Sequence, residues 1–227
     1  MIKHHPTFEL LKSYVAGDLP ASLSAGIAMH AQMCSHCQQQ IALLTDEAAS
    51  VLEADFSPSV TTERDDHDFD SETFDFEQMI GDITASTARE ELKAPVEKTI
   101  TFNNKTYPLP LALNNMVVGK STNIGKLSRA RVQLNEEEIH TSLLHIEPGG
   151  GVPEHTHKGF ELTLLLDGSF EDEQGKYVKG DFIMLDGRHQ HNPISTEGCL
   201  CYTVANDALR FTQGINKLLN PIGTFIY

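Results

Sequence analysis

Near the start of the chain His30, Cys34 and Cys37 are spaced H-x₃-C-x₂-C, with two adjacent histidines, His4 and His5, upstream. Thiolate and imidazole ligands at this spacing suit a tetrahedral zinc site. The first two residues are four apart, so they share one helical face. Cys37 then falls in the first turn of a following helix, where unpaired N–H groups and the positive end of the helix dipole favour a thiolate. A metal at such a corner pins two helices together. The fourth ligand has to come from elsewhere, and spacing alone leaves His4 and His5 equally eligible. A thioredoxin-like redox reading of C-x₂-C is disfavoured because no strand precedes it.

A second, different constellation lies far downstream. Gly149, His155, His157, Glu161 and Gly168 match G-x₅-H-x-H-x₃₋₄-E-x₆-G, the first cupin motif, at every fixed position. On a strand His155 and His157 point to one face, which in a small barrel is the interior. Glu161 can then enter from the adjoining strand. The second cupin motif is only partly met: Gly180 and His191 fit, but Asp186, Arg188 and Ser195 replace the usual Pro, Gly and Asn. The tight turn is therefore open to question. His189 rivals His191 as fourth ligand, and the motif register favours His191. Three imidazoles and a carboxylate suit a divalent ion, Zn, Mn, Fe or Ni. Cys199 and Cys201 form a C-x-C on a late strand, read as two small core residues in preference to a redox pair.

Chain texture separates the two constellations. Phe8, Leu11 and Val15 share a helical face that Gly17 can stop. A second helix is expected from Pro20–Ser22, and a third from Ser35, where Ser35 to Gln38 has the form of a capping box. Between Asp46 and Asp82 there are 13 Asp and Glu against one basic residue, Arg64. Most of this stretch reads as a solvated acidic linker, but Phe74, Phe76, Met79 and Ile80 are threaded through it as a docking segment, with a short helix between Phe74 and Arg89. From Val96 onward short strands alternate with turns: Thr99–Phe102, Ala130–Leu134, Thr141–Ile146, Phe160–Leu166, Phe182–Leu185 and Leu200–Val204. That pattern predicts an all-β sandwich or barrel.

The expected architecture is thus α plus all-β: a small zinc-bound helical bundle with its acidic segment, residues 1–90, and a cupin barrel, residues 96–227. A net charge of −15 argues against direct nucleic-acid binding. Without an apolar run of membrane-spanning length or a signal peptide, the expected location is the cytoplasm.

The N-terminal pattern resembles the zinc-binding anti-sigma domain over about residues 1–90, including Leu10-Leu11, Tyr14, Ala16-Gly17 and Leu19. An upstream histidine pair, this zinc motif and a C-terminal cupin together are similar to the ChrR-type anti-sigma factors. The resemblance implies His5 as the fourth zinc ligand and zinc in the cupin as well. It also implies a non-enzymatic protein that sequesters an ECF-type sigma factor in a 1:1 complex. An oxidative signal, such as singlet oxygen or an organic hydroperoxide, would be sensed through the cupin and release the partner. The competing readings are a metal-dependent cupin enzyme of dioxygenase type, which leaves the zinc module without a task, and a cupin that senses an unreactive ligand.

Overall fold

The computed structural model describes residues 1–55, 76–85, 97–207 and 210–211. Among these are helices α1 (Phe8–Ala16), α2 (Ala21–Met33), α3 (Ser35–Asp55) and α4 (Phe76–Ala85). Strands follow: β1 (Thr99–Phe102), β2 (Lys105–Pro108), β3 (Val117–Val118), β4 (Thr122–Ile124), β5 (Leu127–Gln133), β6 (His140–Ile146) and β7 (Gly150–Gly151). The remainder are β8 (His155–Thr156), β9 (Phe160–Asp172), β10 (Gly175–Val178), β11 (Phe182–Asp186), β12 (Ile194–Ser195), β13 (Cys199–Ala205) and β14 (Arg210–Phe211).

Local chemistry sets the helix ends. Thr7 caps α1, its hydroxyl accepting from Leu10 N–H at 3.2 Å. Gly17 closes the helix at φ +77, and the N–H groups of Gly17 and Asp18 return to Tyr14 O and Ser13 O in a Schellman arrangement. Ser35 is the first residue of α3 and not its cap, so the expected capping box does not form there. Instead Cys34 closes α2, its N–H bonding His30 O, and its own carbonyl receives Gln38 N–H as α3 begins. One cysteine thus forms the whole corner. Helix α3 also continues to Asp55, ten residues into the acidic stretch.

The strands build the expected antiparallel barrel. A ten-stranded sheet runs β3-β5-β6-β13-β9-β12-β7, with β10 and β11 paired to β9 and β4 to β5. Strand β9 is the spine: Phe160–Leu164 pair with β11, and Ser169–Asp172 with β10. It turns at Gly168, φ +75, where a Cβ would collide with Gly198 O. That is the physical reason for the motif's last glycine. Hairpin β1–β2 closes through Asn103 and Asn104, both at positive φ. It covers His145, whose ring stacks on Phe102 at 5.5 Å.

Helix α2 packs between the other helices and the barrel. Ser22, Leu23, Ala25, Gly26, Ile27, Met29 and His30 are all buried on one broad face, while Ala21 and Gln32 on the far side stay exposed. Gly26 meets the sheet so closely that a Cβ there would lie 2.8 Å from the Leu162 side chain. Tyr202 donates its hydroxyl hydrogen to Ser22 O at 2.9 Å, and Glu136 accepts from Ser22 N–H at 3.2 Å. Pro20 gives α2 no side-chain cap, so a carboxylate from the β-region supplies one. Helices and barrel share a single apolar cluster, running from Leu11 and Ile27 to Leu162, Phe182 and Tyr202.

Candidate metal centres

The first cluster forms where α2 meets α3. His30 Nε2 lies 3.2 Å from Cys37 Sγ and 3.4 Å from His5 Nδ1. His5 Nδ1 lies 3.4 Å from Cys34 Sγ and 3.5 Å from Cys37 Sγ. Ligands at zinc–nitrogen and zinc–sulfur bond lengths on a tetrahedron sit roughly 3.3–3.8 Å apart; these four separations fall near that range, and all four ligand atoms lie within 4.8 Å of one another. His30 is fully buried, and its Nδ1 donates to Gly180 O at 2.7 Å. That bond leaves the Nε2 lone pair aimed at the cluster. Burial lowers the His30 pKa, which keeps the imidazole neutral as a ligand must be. Burial and the neighbouring Cys34 push the Cys37 thiol up to about 12; a thiolate pair here needs a cation beside it. His5 is exposed, while the other three are buried. The structure brings in His5 and not His4, whose ring packs on Tyr177 at 4.8 Å.

The second cluster lies inside the barrel and collects His155, His157, Glu161 and His191, all buried. His155 and His191 exchange both backbone hydrogen bonds, at 3.1 and 3.2 Å, so their side chains emerge together. His155 Nε2 and His191 Nε2 are 2.8 Å apart, His157 Nε2 and Glu161 Oε2 are 2.8 Å, and His191 Nε2 and Glu161 Oε2 are 3.3 Å. Neighbouring ligands of an octahedral ion sit roughly 3.0 Å apart for bonds near 2.1 Å. The angles carry the argument further. Despite their proximity, both His157 ring nitrogens and Glu161 Oε2 have no hydrogen-bond partner although buried. The two His157 nitrogens point to different sides of the ring, so only Nε2, 2.8 Å from Glu161 Oε2, can share a cation with it. His155 Nδ1 donates to Pro153 O at 2.8 Å, and His191 Nδ1 faces Asp172 at 3.7 Å, so each presents Nε2 inward. Burial lowers the His155 pKa to about 4. Burial opposes the charge on Glu161, yet the His157 and His191 rings hold it below the usual carboxylate range.

The turn before His191 answers the incomplete second motif. Asp186 accepts from Arg188 N–H at 3.1 Å, from the Arg188 guanidinium at 2.6 and 2.9 Å, and from His189 Nδ1 at 2.8 Å. A side-chain turn replaces the missing proline. The glycine is one position early: at Gly187 a Cβ would collide with His157 O. His189 is spent on this turn and half-exposed, away from the cluster.

Comparison with known proteins covers both regions of the chain. A family model described as the ChrR cupin-like domain matches residues 126–209. The chain is 28% identical to the Anti-sigma-E factor ChrR of Cereibacter sphaeroides, across 97% of each protein. The similarity to ChrR thus runs along nearly the whole chain. In fold it matches a chain of the crystal structure of Rhodobacter sphaeroides SigE in complex with the anti-sigma ChrR. The TM-score is 0.64 and the identity 23%, covering 90% of this chain and 100% of that one.

Other singled-out residues of the chain are placed as follows. Cys199 and Cys201 are buried in a cluster with Leu165 and Phe170. Cys201 donates to Cys199 across 3.9 Å, and this bond lowers the Cys199 pKa against the effect of burial, a local cue absent from the sequence pattern. Met79 and Ile80 are exposed on α4, and Phe76 opens that helix; Phe74 lies outside the described residues. Sequence reasoning missed Asp172, Gly180 O and Asp181 as supports of the ligands. Only the position of Gly180 in the second motif hinted at them. No helix of the described residues is long and apolar enough to cross a membrane.

Proposed function

We propose that this chain is an anti-sigma factor. Its helices hold an ECF-type sigma factor in a 1:1 complex in the cytoplasm, and the cupin receives an oxidative signal that releases it. The observation that carries this reading is similarity along 97% of both chains to a protein named an anti-sigma factor, joined to an N₂S₂ cluster at the corner of the helices. Zinc at His5, His30, Cys34 and Cys37 would be structural: four protein ligands leave no open position. Apparent zinc-binding free energies of such sites, about 10–16 kcal/mol, exceed the stability a bundle this small generates alone.

Exposed Phe8, Leu43, Val51 and Leu52, with Met79, Ile80 and Ile83 on α4, give the helices apolar surface to offer a partner. The net charge of −15 complements a basic, DNA-directed protein. In the cupin, His155, His157, Glu161 and His191 would hold a divalent metal. Oxidisable Cys199 and Cys201 lie in the same barrel and give an oxidant such as singlet oxygen or an organic hydroperoxide a target.

The test is co-expression of the full chain with ECF sigma factors of its own organism. A 1:1 complex containing zinc, dissociating on exposure to singlet oxygen or an organic hydroperoxide, is expected. No capture of any sigma factor, together with turnover of small diketones or related substrates, would favour the cupin-enzyme reading. The second cluster keeps that reading in view, because three histidines and a carboxylate leave coordination positions for a substrate.

A further inference from the structure

We infer that Asp181 is a positioning residue for the helical metal site: this cupin carboxylate fixes the N-terminal strap that delivers His5. The inference rests on the zinc reading above and extends it, because it makes the cupin a supplier of the helical site's geometry.

Asp181 is fully buried although charged. Its carboxylate accepts three backbone N–H bonds. Oδ1 takes Lys3 N–H at 2.7 Å and His4 N–H at 3.0 Å; Oδ2 takes Val178 N–H at 2.8 Å. A buried carboxylate needs such donors, and two of the three belong to residues preceding His5. Phe182 N–H adds a bond to His4 O at 3.0 Å. Ile2 fills the space above Gly180, where a Cβ would collide with it. Residues 2–4 are therefore fastened to the turn between β10 and β11. On the other side of His5, buried Pro6 restricts it to extended backbone, and Thr7 starts α1 as its cap. His5 is held between these two anchors, and its own exposure gives it little other restraint. The same turn also orients His30 through Gly180 O. Two of the four ligands thus take their aim from the barrel, one by main chain and one by carboxylate.

The test uses the full-length chain loaded with cobalt. Thiolate-to-cobalt charge transfer in the near ultraviolet reports the Cys34–Cys37 site and is silent for the His₃Glu cluster. A wild-type chain without this band would refute the zinc reading itself, separately from the inference. With the band present, its rate of loss to a chelator is compared among variants. Asp181→Ala should lose it about 10–100-fold faster, the range for removing an outer-shell support. His5→Ala should do the same, and the double variant should match His5→Ala, because Asp181 acts through His5. Lys3→Pro, at a residue that is exposed overall, removes one of the two N–H donors to Oδ1 and leaves the buried carboxylate in place. It should speed the loss about threefold or more, even if Asp181→Ala fails to fold. Wild-type rates in Lys3→Pro and in a folded Asp181→Ala would overturn the inference. So would a double variant much faster than His5→Ala, which would mark Asp181 as a support of the fold alone.

Discussion

The two four-residue clusters solve the same problem with opposite materials. The helical cluster is half sulfur, four of its separations run from 3.2 to 3.5 Å, and one member, His5, is exposed. The barrel cluster has only nitrogen and oxygen donors, two contacts at 2.8 Å, and every ligand buried on or beside the strands. Wider spacing with four protein ligands describes a closed tetrahedron that fastens elements together. Tighter spacing describes part of a larger coordination sphere with room for something else. On the proposed reading the first site holds the fold and the second answers the signal.

This contrast can be broken experimentally. The largest effect is expected from Cys37→Ser. It should remove one zinc per chain by elemental analysis, lower the helical signal in circular dichroism, and abolish capture of a sigma factor. Retained capture without zinc would contradict a structural role. Next, His191→Ala should weaken metal in the barrel by at least about tenfold while leaving the helical zinc and capture intact. Loss of sigma binding in that variant would show that the sites are not separable. A smaller change is expected from joint Met79→Ala and Ile80→Ala, roughly tenfold in sigma affinity measured by calorimetry, with zinc content unchanged. An unchanged affinity would dismiss α4 as a contact. The smallest is Tyr202→Phe, which deletes the bond to Ser22 O at 2.9 Å. It should cost about 1 kcal/mol and lower Tm by about 2–4 °C.

The ligands themselves were legible because spacing along a helix or strand dictates which side chains converge. His30, Cys34 and Cys37 needed only a helical break, and His155, His157 and Glu161 only a strand alternation. The longer strands appeared close to their predicted positions for the same reason. What escaped was long-range. The choice of His5 over His4 on spacing depends on a strap fixed by Asp181, far away in sequence. The broad buried face of α2 depends on a sheet that local periodicity does not see. Two-residue strands such as β7, β8 and β12 are too short to alternate. By contrast, the Asn103–Asn104 hairpin was missed although its turn signal was present, since adjacent asparagines tolerate the left-handed backbone found there.

Ser22, Gly26 and His30 are four residues apart, and through them α2 makes its closest approaches to the barrel. A leucine buried at such a seam would contribute about 1.5–3 kcal/mol of non-directional adhesion that tolerates sliding. Here the helix offers a main-chain carbonyl and amide, a bare Cα and an imidazole. To the apolar cluster that Leu23, Ile27 and Met29 share with the barrel, these positions add oriented bonds from Tyr202 to Ser22, from Ser22 to Glu136 and from His30 to Gly180, each losing strength steeply with misalignment. The apolar contacts hold the helix down, and the oriented bonds act as detents that index its position along the sheet.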